Sequence, residues 1–317
     1  CGYAVAVIDA STFEFRATQL AGLAALAGEL FRMEPREILI ARSGAAALAD
    51  LKKLLPRCHL SVVDDALFAE KNARENLTTV LGANDCKELF ERSSFIACAG
   101  GAVISYVRAT HPGAPLPACR LSIYSVSDHL VIDEATKSHL ELVRTTSGDK
   151  KGSLLWLLDQ TCTAMGGRLL RHWINYPLVD LDVIRARQAR VDVFFQDATF
   201  REDSRRLLQE ISDVERLATR LGMGAANPRD LGVLRNTLGL LPGLNALLTS
   251  CGTSDAETVL GGPVDEAGDL FAVLSRALVN DPPVSARDGG IFKEGFSADL
   301  DELTRTLATA KDFIASL

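Results

Sequence analysis

The chain has 317 residues, of which 47% are hydrophobic and 24% are charged, and a formal net charge of −7. This composition excludes a fibrous or disordered chain, and the length allows two domains with full cores. No apolar run approaches the roughly 20 residues that span a membrane. The seven cysteines are widely spaced, without a Cys-x-x-Cys motif or a nearby Cys/His cluster, which indicates reduced thiols in the cytoplasm and no metal site. The first residue is not Met, and we interpret the chain as an internal part of a longer protein.

The first 108 residues alternate between strand-like and helix-like patterns. Residues 3–8 and 12–16 predict a β-hairpin, and a helix is expected after it. The apolar positions of that helix follow helical spacing at Leu20, Leu23, Leu26, Leu30 and Phe31. Further along, the pattern predicts strands at 37–41 and 59–63, a helix near 45–55 between them, and helices up to Arg108. This order of elements predicts an α/β domain.

Residues 111–117 predict a linker. They contain three of the eleven prolines within six positions, and proline continues neither a helix nor a central strand. We therefore expect one domain at 1–118 and a second at 119–317. The second domain is expected to begin with short extended pieces at 121–126 and 129–132 and to be helical thereafter.

Residues 152–248 carry successive helix-start and helix-stop signals and no catalytic signature. A helix within 163–177 has apolar residues at helical spacing and is stopped by Pro177. Asp180 can cap the next helix, and Asn227 precedes a proline at the first position of another. This part of the chain therefore predicts a helical scaffold.

The run at 163–178 reads Thr-x-Met-Gly-x-Arg-Leu-Leu-x-x-Trp-x-x-x-Pro-Leu. It closely resembles a run in the core domain of the MutS family of DNA mismatch-repair proteins. Further elements resemble the family in the family's own order, at 130–136, 213–221, 228–231, 281–283 and 287–290. These matches cover most of the predicted second domain, whereas the first domain resembles the family's connector domain more loosely. One departure is Ala164, where many members have proline.

The resemblance implies a ribonuclease-H-like connector domain at 1–118 and a helical core domain at 119–317 that runs into the start of a lever helix. In the family, such a scaffold couples mismatched duplex DNA to a distant ATPase domain, which holds ATP and Mg, and the connector docks the partner MutL. The complete protein is expected to be a cytoplasmic homodimer with no membrane attachment. For this chain we expect no catalytic, cofactor or metal site and no ATP binding, because the sequence has no Gly-x-x-x-x-Gly-Lys-Ser/Thr phosphate loop.

The segment 73–77, Ala-Arg-Glu-Asn-Leu, resembles a helix of the family's connector domain. We expect Glu75 and Asn76 to face solvent on this helix and to contribute to MutL docking. The alternative interpretation is an ordinary solvated helix face.

A ribonuclease-H-like sheet raises the alternative of a metal-dependent nuclease, which gathers carboxylates at strand ends to hold its ions. Asp9 ends the first predicted strand, and Asp64 and Asp65 end another. The competing interpretation is a hairpin turn at Asp9 and a helix cap at Asp64, which are ordinary uses of aspartate. We favour the turn and the cap, since no third acid is evident.

Arg168 and Arg171 share a helix face, and contact with DNA phosphates is one use of such a pair. Between Arg168 and Arg235, however, 12 basic and 10 acidic side chains favour internal ion pairs. The overall charge agrees, because residues 121–317 carry 21 basic and 28 acidic side chains, whereas a surface that grips DNA is normally basic. We keep Arg168 and Arg171 as candidate phosphate contacts.

Large aromatic side chains at helical spacing usually anchor a core. Trp156 and Trp173 are therefore expected to be core residues of the helical domain. His172, next to Trp173, is expected to be a packed or capping residue rather than a metal ligand.

The end of the chain predicts a helix that needs a partner. Its apolar residues repeat at alternating three- and four-residue steps, the spacing of a coiled-coil seam. These residues are Leu300, Leu303, Leu307, Ala310, Ile314 and Leu317. We expect this seam either to contact a neighbouring chain or to be mobile beyond Thr309.

Overall fold

The structure is a computed structural model. The residues that it describes are 2–47, 51–53, 55–56, 58–250 and 261–316. They form two compact units, of which the first comprises Cys1–Val191 with Ala218–Ala225 and the second Asp192–Leu217 with Ala226–Leu317. Among the described residues, no helix is both long and apolar enough to cross a membrane.

The chain begins with a β-hairpin, as the sequence predicts. Strand β1 (Gly2–Ile8) pairs antiparallel with β2 (Phe15–Ala21). In the turn, Oδ1 of Asp9 accepts hydrogen bonds from the backbone N (2.8 Å) and Oγ (2.7 Å) of Ser11. These two bonds satisfy the carboxylate locally and hold the turn that brings the two strands together.

Helix α1 (Leu23–Met33) follows the hairpin and buries Leu26 and Leu30. The sequence pattern assigned Leu20 to this helix, and that assignment is wrong, because Leu20 lies in β2. The helix begins only after Gly22, whose φ of 87° turns the chain out of the strand. Leu20 fits both the alternation of a strand and the spacing of a helix, so the pattern alone does not place the boundary.

Two further strands form a separate sheet. Strand β3 (Glu37–Ala41) pairs parallel with β4 (His59–Val63), which confirms both predicted strands. Of the helix predicted near 45–55, the first part is a 3₁₀ helix at Arg42–Ala47. Several of the residues that follow lie outside those that the structure describes.

Three helices pack on the hairpin, namely α2 (Glu70–Leu81), α3 (Ala83–Arg92) and α4 (Ser94–Thr110). Their apolar faces form one hydrophobic core with β2. Phe15, Leu77 and Ile104 are fully buried in this core. The first part of the chain is therefore the mixed α/β structure that the sequence predicts.

The proline-rich segment 111–117 forms neither helix nor strand, as predicted. The strand after it, β5 (Leu121–Ile123), pairs parallel with β2 and gives a three-stranded sheet in the order β1-β2-β5. The first compact unit thus runs past residue 118, where the prolines suggest a boundary, and extends to Val191. This strand lies within the extended piece that the sequence predicts at 121–126, which is confirmed for Leu121–Ile123.

Four helices follow β5, namely α5 (Glu134–His139), α6 (Leu154–Leu158), α7 (Ala164–Asn175) and α8 (Leu181–Gln196). The side chains of Asp133, Ser153 and Thr163 each accept a hydrogen bond from a backbone N in the first turn of the helix that follows them. The predicted cap at Asp180 is confirmed, since its Oδ1 accepts from the backbone N of Val183 at 3.1 Å.

The two tryptophans do not both anchor a core. Trp156 on α6 is 46% exposed, so the prediction for this residue is wrong. Every position of this five-residue helix is apolar and only Leu155 is buried, so the apolar pattern does not select a buried face. Trp173 is partly buried beneath Arg187, whose guanidinium carbon lies 3.8 Å from the ring centroid.

The second unit is built from helices, as the sequence predicts. The remaining α-helices of the described residues are α9 (Ala198–Glu210), α10 (Val214–Gly222), α11 (Pro228–Leu238), α12 (Leu241–Ser250), α13 (Gly268–Ala277) and α14 (Ala298–Ser316). The second half of α10 belongs to the first unit. Asn227 and Asp230 form a capping box at the start of α11, which confirms the predicted N-cap.

Helix α14 exposes the first half of its predicted seam. Leu300 is 37% exposed, and Leu303 and Leu307 are each 63% exposed. The side chains of Ala310 and Ile314, and the whole of Leu317, lie outside the residues that the structure describes. The described part of the seam is therefore apolar and exposed to solvent, as expected for a seam without a partner.

Candidate functional site

A buried carboxylate joins α1 to two segments far along the chain. Glu29 lies on the buried face of α1 beside Leu30 and is 1% exposed. Its Oε1 accepts hydrogen bonds from the hydroxyls of Tyr124 (2.6 Å) and Tyr176 (2.8 Å). Tyr124 follows β5, and Tyr176 is the residue at which α7 ends. The two phenols supply the hydrogen bonds that the buried Oε1 requires, whereas Oε2 accepts none from the described residues.

Arg32 lies on the same side of α1 and is 5% exposed. Its Nη1 is 3.6 Å from Oε2 of Glu29, an ion pair between residues three positions apart on the helix. Its Nη2 donates to the carbonyl oxygen of Leu130 at 3.3 Å. The guanidinium carbon also lies 5.6 Å from the ring centroid of Tyr176, within the range of a cation–π contact. Arg32 therefore balances the charge of Glu29 and binds the segment after β5.

Arg16 on β2 makes a second link to α7. Its Nη1 lies 3.2 Å from Nδ1 of His172, which confirms His172 as a packed residue. The His172 ring stacks on Tyr176 with the centroids 4.6 Å apart. The other side of Arg16 pairs with Glu14, at 3.3 Å. Hereafter the Glu29 junction denotes Arg16, Glu29, Arg32, Tyr124, His172 and Tyr176.

Burial and neighbouring charges shift the pKa values of Tyr124, His172 and Tyr176. Burial raises the pKa of Tyr124 and of Tyr176, and the negative charge of Glu29 raises both further. Both phenols therefore remain protonated and can donate. Burial also lowers the pKa of His172 to about 4, and the positive charge of Arg16 adds to this shift. His172 is neutral at neutral pH, so its Nδ1 can accept the hydrogen bond from Arg16.

An outer pair of salt bridges continues the contact between α1 and the later helices. Glu34, the residue after α1, binds Nζ of Lys137 at 3.0 Å and Nη2 of Arg171 at 2.7 Å. Burial would raise the pKa of Glu34, but the charge and hydrogen bond of Lys137, with the charge of Arg171, outweigh it and lower the pKa. The ion pairing expected for Arg171 is therefore confirmed. Arg168 also has an interaction partner, and phosphate contact by either arginine stays a prediction.

The three carboxylates of the nuclease alternative, Asp9, Asp64 and Asp65, accept hydrogen bonds from the surrounding protein. Asp9 closes the β1–β2 turn, and Oδ1 of Asp64 accepts from the backbone N of Ala66 at 2.9 Å at the start of a short 3₁₀ helix. Oδ1 of Asp65 accepts from the backbone N (3.0 Å) and Oγ (2.9 Å) of Ser43. Among the described residues, no group of three or more His, Cys, Asp or Glu is placed to hold a metal ion. The turn and cap interpretation is confirmed, and the nuclease alternative gains no support.

The two predicted docking residues on α2 differ in exposure. Glu75 is exposed. Asn76 is only 5% exposed, and its Nδ2 donates to the carbonyl oxygen and Oδ1 of Asn72, each at 2.9 Å. The expectation that Asn76 faces solvent is therefore wrong. The sequence carried the signal, because Asn76 lies three residues after Ala73 and so shares its buried face.

Sequence reasoning missed the Glu29 junction. Glu29 is separated from Tyr124 by 95 positions and from Tyr176 by 147. The available signal was a glutamate among the apolar residues on one face of a predicted helix, since a carboxylate there needs a partner. That signal indicates a buried contact but does not name the residues that provide it.

The described residues of the first unit define a mixed α/β protein. Its α1 and β2 are joined to α7 by buried polar contacts. The model of MutS domain II matches residues 1–120, and the model of MutS domain III matches residues 135–317. The chain belongs to the MutS family of DNA mismatch-repair proteins. The resemblance in the sequence motifs is therefore confirmed.

Several curated relatives carry the name DNA mismatch repair protein MutS. Those of Symbiobacterium thermophilum, Nostoc punctiforme and Myxococcus xanthus are 36%, 34% and 35% identical over 327, 328 and 321 residues. The matches cover 100%, 99% and 100% of this chain, respectively. The chain spans 37%, 36% and 36% of the length of these relatives.

Proposed function

We propose that this chain is a non-catalytic scaffold within a MutS-type mismatch-repair protein. It couples the binding of mismatched duplex DNA to a distant ATPase domain, which would hold ATP and Mg. The Glu29 junction carries this proposal, because it ties α1 and β2, within the domain II match, to α7, within the domain III match. A displacement of α7 would therefore be transmitted to α1 by hydrogen bonds rather than by a flexible linker.

Other features of the complete protein belong to the same proposal. Residues 1–118 would form a ribonuclease-H-like connector domain, which the antiparallel β1–β2 pair and the parallel β3–β4 pair support. Residues 119–317 would form the core domain, with α14 as the start of a lever helix. The complete protein would act as a cytoplasmic homodimer.

The coupling proposal is tested by Tyr176→Phe in the complete protein. The substitution removes one hydroxyl from Glu29 and keeps the aromatic ring against His172. We expect stimulation of ATP turnover by mismatched DNA to fall about two- to tenfold, as the loss of one hydrogen bond of about 0.5–1.5 kcal/mol implies. The turnover without DNA should stay unchanged.

The control is Tyr106→Phe. Tyr106 also donates its hydroxyl to a glutamate, Glu37, at 2.7 Å, but it lies outside the Glu29 junction. This variant should retain full stimulation. Equal loss in both variants, or no loss in Tyr176→Phe, would count against coupling through the junction.

We also propose that the exposed face of α2 docks MutL through Glu75. In the neighbouring Arg74, Nη2 forms a salt bridge with Oε1 of Glu70 at 2.6 Å. The guanidinium carbon of Arg74 lies 3.9 Å from the ring centroid of Phe90. The carboxylate of Glu75 is therefore presented on an ordered surface. Asn76, which is buried, has no part in this proposal.

Charge reversal at Glu75 tests the docking proposal. Glu75→Arg should weaken binding to MutL by about a hundredfold or more, seen as loss of chemical cross-linking, because an interfacial like-charge contact costs on the order of several kcal/mol. Glu88→Arg makes the same charge change at an exposed position of α3 and should leave cross-linking unchanged. Cross-linking at the parental level in both variants would remove Glu75 from the proposed interface.

A further inference from the structure

The segment between α13 and α14, residues 278–297, is held at its start by one buried arginine. Arg235 on α11 is 8% exposed. Its guanidinium donates to the carbonyl oxygens of Leu278 (3.4 Å), Val279 (2.8 Å) and Asn280 (2.7 Å). The segment 278–297 is called the elbow below. Three consecutive carbonyls of the elbow thus converge on a single side chain.

Arginine is the side chain that suits this place. Leu278 is the C-cap residue of α13, where the carbonyls have no partner within the helix and a positive charge is favourable. The guanidinium offers five donors in a fixed planar fork, whereas the ammonium of lysine is a single flexible centre. The neighbouring Gly232 lets the elbow approach α11 closely, since a Cβ at this position would lie 2.9 Å from Cδ of Pro282.

The elbow folds back on α13 further along. The backbone N of Val279 donates to the carbonyl oxygen of Ile291 at 3.0 Å, and the backbone N of Lys293 donates to that of Ala277 at 2.8 Å. Nζ of Lys293 donates to the carbonyl oxygen of Ser275 at 2.7 Å. These contacts close residues 278–293 into a loop whose two ends lie against the end of α13.

The last residues of the elbow bind the first turns of α14. The backbone N of Gly295 donates to Oδ2 of Asp301 at 2.9 Å, and Glu294 pairs with Arg305 at 3.2 Å. Beyond these contacts, Leu303 and Leu307 are each 63% exposed. The contacts of Asp301 and Arg305 join the first eight residues of α14 to the elbow.

We infer that Arg235 is a positioning residue that sets the direction of α14 within the second unit. Arg235 fixes the start of the elbow on α11. The end of the elbow is bound to α13, and the same end holds the first turns of α14. The geometric statement concerns the second unit alone. Its consequence rests on the proposed scaffold function, in which α14 would relay movement between the core and the rest of the protein.

The test is the distance between two spin labels in this chain, one at Leu303 on α14 and one at Arg206 on α9. Both side chains are exposed, and genetically encoded labels leave the native cysteines in place. The parent should give a narrow distance distribution. Arg235→Met, which keeps the length but removes every donor, should broaden it about twofold or shift its maximum, and Arg235→Lys should give an intermediate distribution.

The control is Arg229→Met on the same helix. Arg229 is 54% exposed and pairs with Asp281 at 3.8 Å, so it touches the elbow without being buried. Its distance distribution should match that of the parent. If Arg235→Met unfolds the unit, Arg235→Lys decides the question through amide exchange, which should become roughly tenfold faster at Val279 and Lys293.

An unchanged distance distribution in Arg235→Met, even with lower thermal stability, would overturn the inference, because a merely structural arginine predicts that result. Unchanged exchange at Val279 and Lys293 in Arg235→Lys would overturn it as well. Neither measurement uses DNA, ATP or MutL. Failure here therefore leaves the scaffold proposal intact, and failure of the Tyr176→Phe test leaves the elbow intact.

Discussion

Replacement of Glu29 by alanine is expected to lower the free energy of unfolding of the first unit by about 3–5 kcal/mol. The hydroxyls of Tyr124 and Tyr176 would lose their shared acceptor, and the guanidinium of Arg32 would lose its ion-pair partner, while all three remain buried. Buried donors without partners cost more than the hydrogen bonds themselves contribute. Urea unfolding followed by tryptophan fluorescence measures the effect, because both tryptophans belong to the first unit.

Two variants define the origin of this loss. Glu70→Ala removes a glutamate that is 55% exposed and pairs with Arg74 on the same helix, so it should cost no more than about 0.5 kcal/mol. Replacing both Glu29 and Arg32 by methionine should recover part of the loss, because no charge is then left unpaired. A Glu29→Ala variant as stable as Glu70→Ala would contradict the role given to the junction.

Local patterns predicted much of the fold. Short strand-like runs of apolar residues predicted the hairpin and β3 and β4, and short polar residues at helix starts predicted the caps at Asp180 and Asn227. The caps depend on residues within four positions of each other, and each strand is indicated by its own short run of residues, so the sequence displays both directly. The same reasoning identified the turn at Asp9 and the cap at Asp64.

The remainder depends on contacts between distant residues. The apolar character of α6 did not reveal that Trp156 would be exposed, because burial is decided by what packs against the helix. A glutamate on the buried face of α1 indicates that a hydrogen-bond donor lies nearby. It does not identify that donor as Tyr176. In the sequence, Arg235 is likewise indistinguishable from the other arginines in helices. Only the structure shows that the carbonyls of the elbow surround it.

A pair of glycines inside a helix indicates a close contact but does not identify the contacting element. Gly100 and Gly101 lie in the middle of α4, where each costs about 0.5–1 kcal/mol relative to alanine. Such a cost suggests a close approach of another element. The structure identifies that element as α2, because a Cβ at position 101 would lie 2.3 Å from Cα and 2.4 Å from Cβ of Ala73.

Gly101→Ala is therefore expected to be the most damaging conservative change in the α/β part, with a loss of about 3 kcal/mol in the free energy of unfolding of the first unit. The obstacle at Ala73 is backbone, which cannot rotate away as a side chain can. Relief requires α2 and α4 to move apart, and this would loosen the core around Leu77 and Ile104. Urea unfolding by tryptophan fluorescence and circular dichroism measures the loss.

Two glycine-to-alanine controls separate the clash from helix propensity. A Cβ at Gly28 on α1 would have no neighbouring atom within 4 Å, so Gly28→Ala should stabilise the unit by about 0.5–1 kcal/mol. A Cβ at Gly100 would lie 3.2 Å from Cζ of Phe15, a side-chain atom, so Gly100→Ala should fall between the two. All three variants gain the same helix propensity, and stability should fall in the order Gly28→Ala, Gly100→Ala, Gly101→Ala, as the space for the Cβ decreases. If Gly101→Ala were as stable as Gly28→Ala, the close packing of α2 on α4 would be wrong.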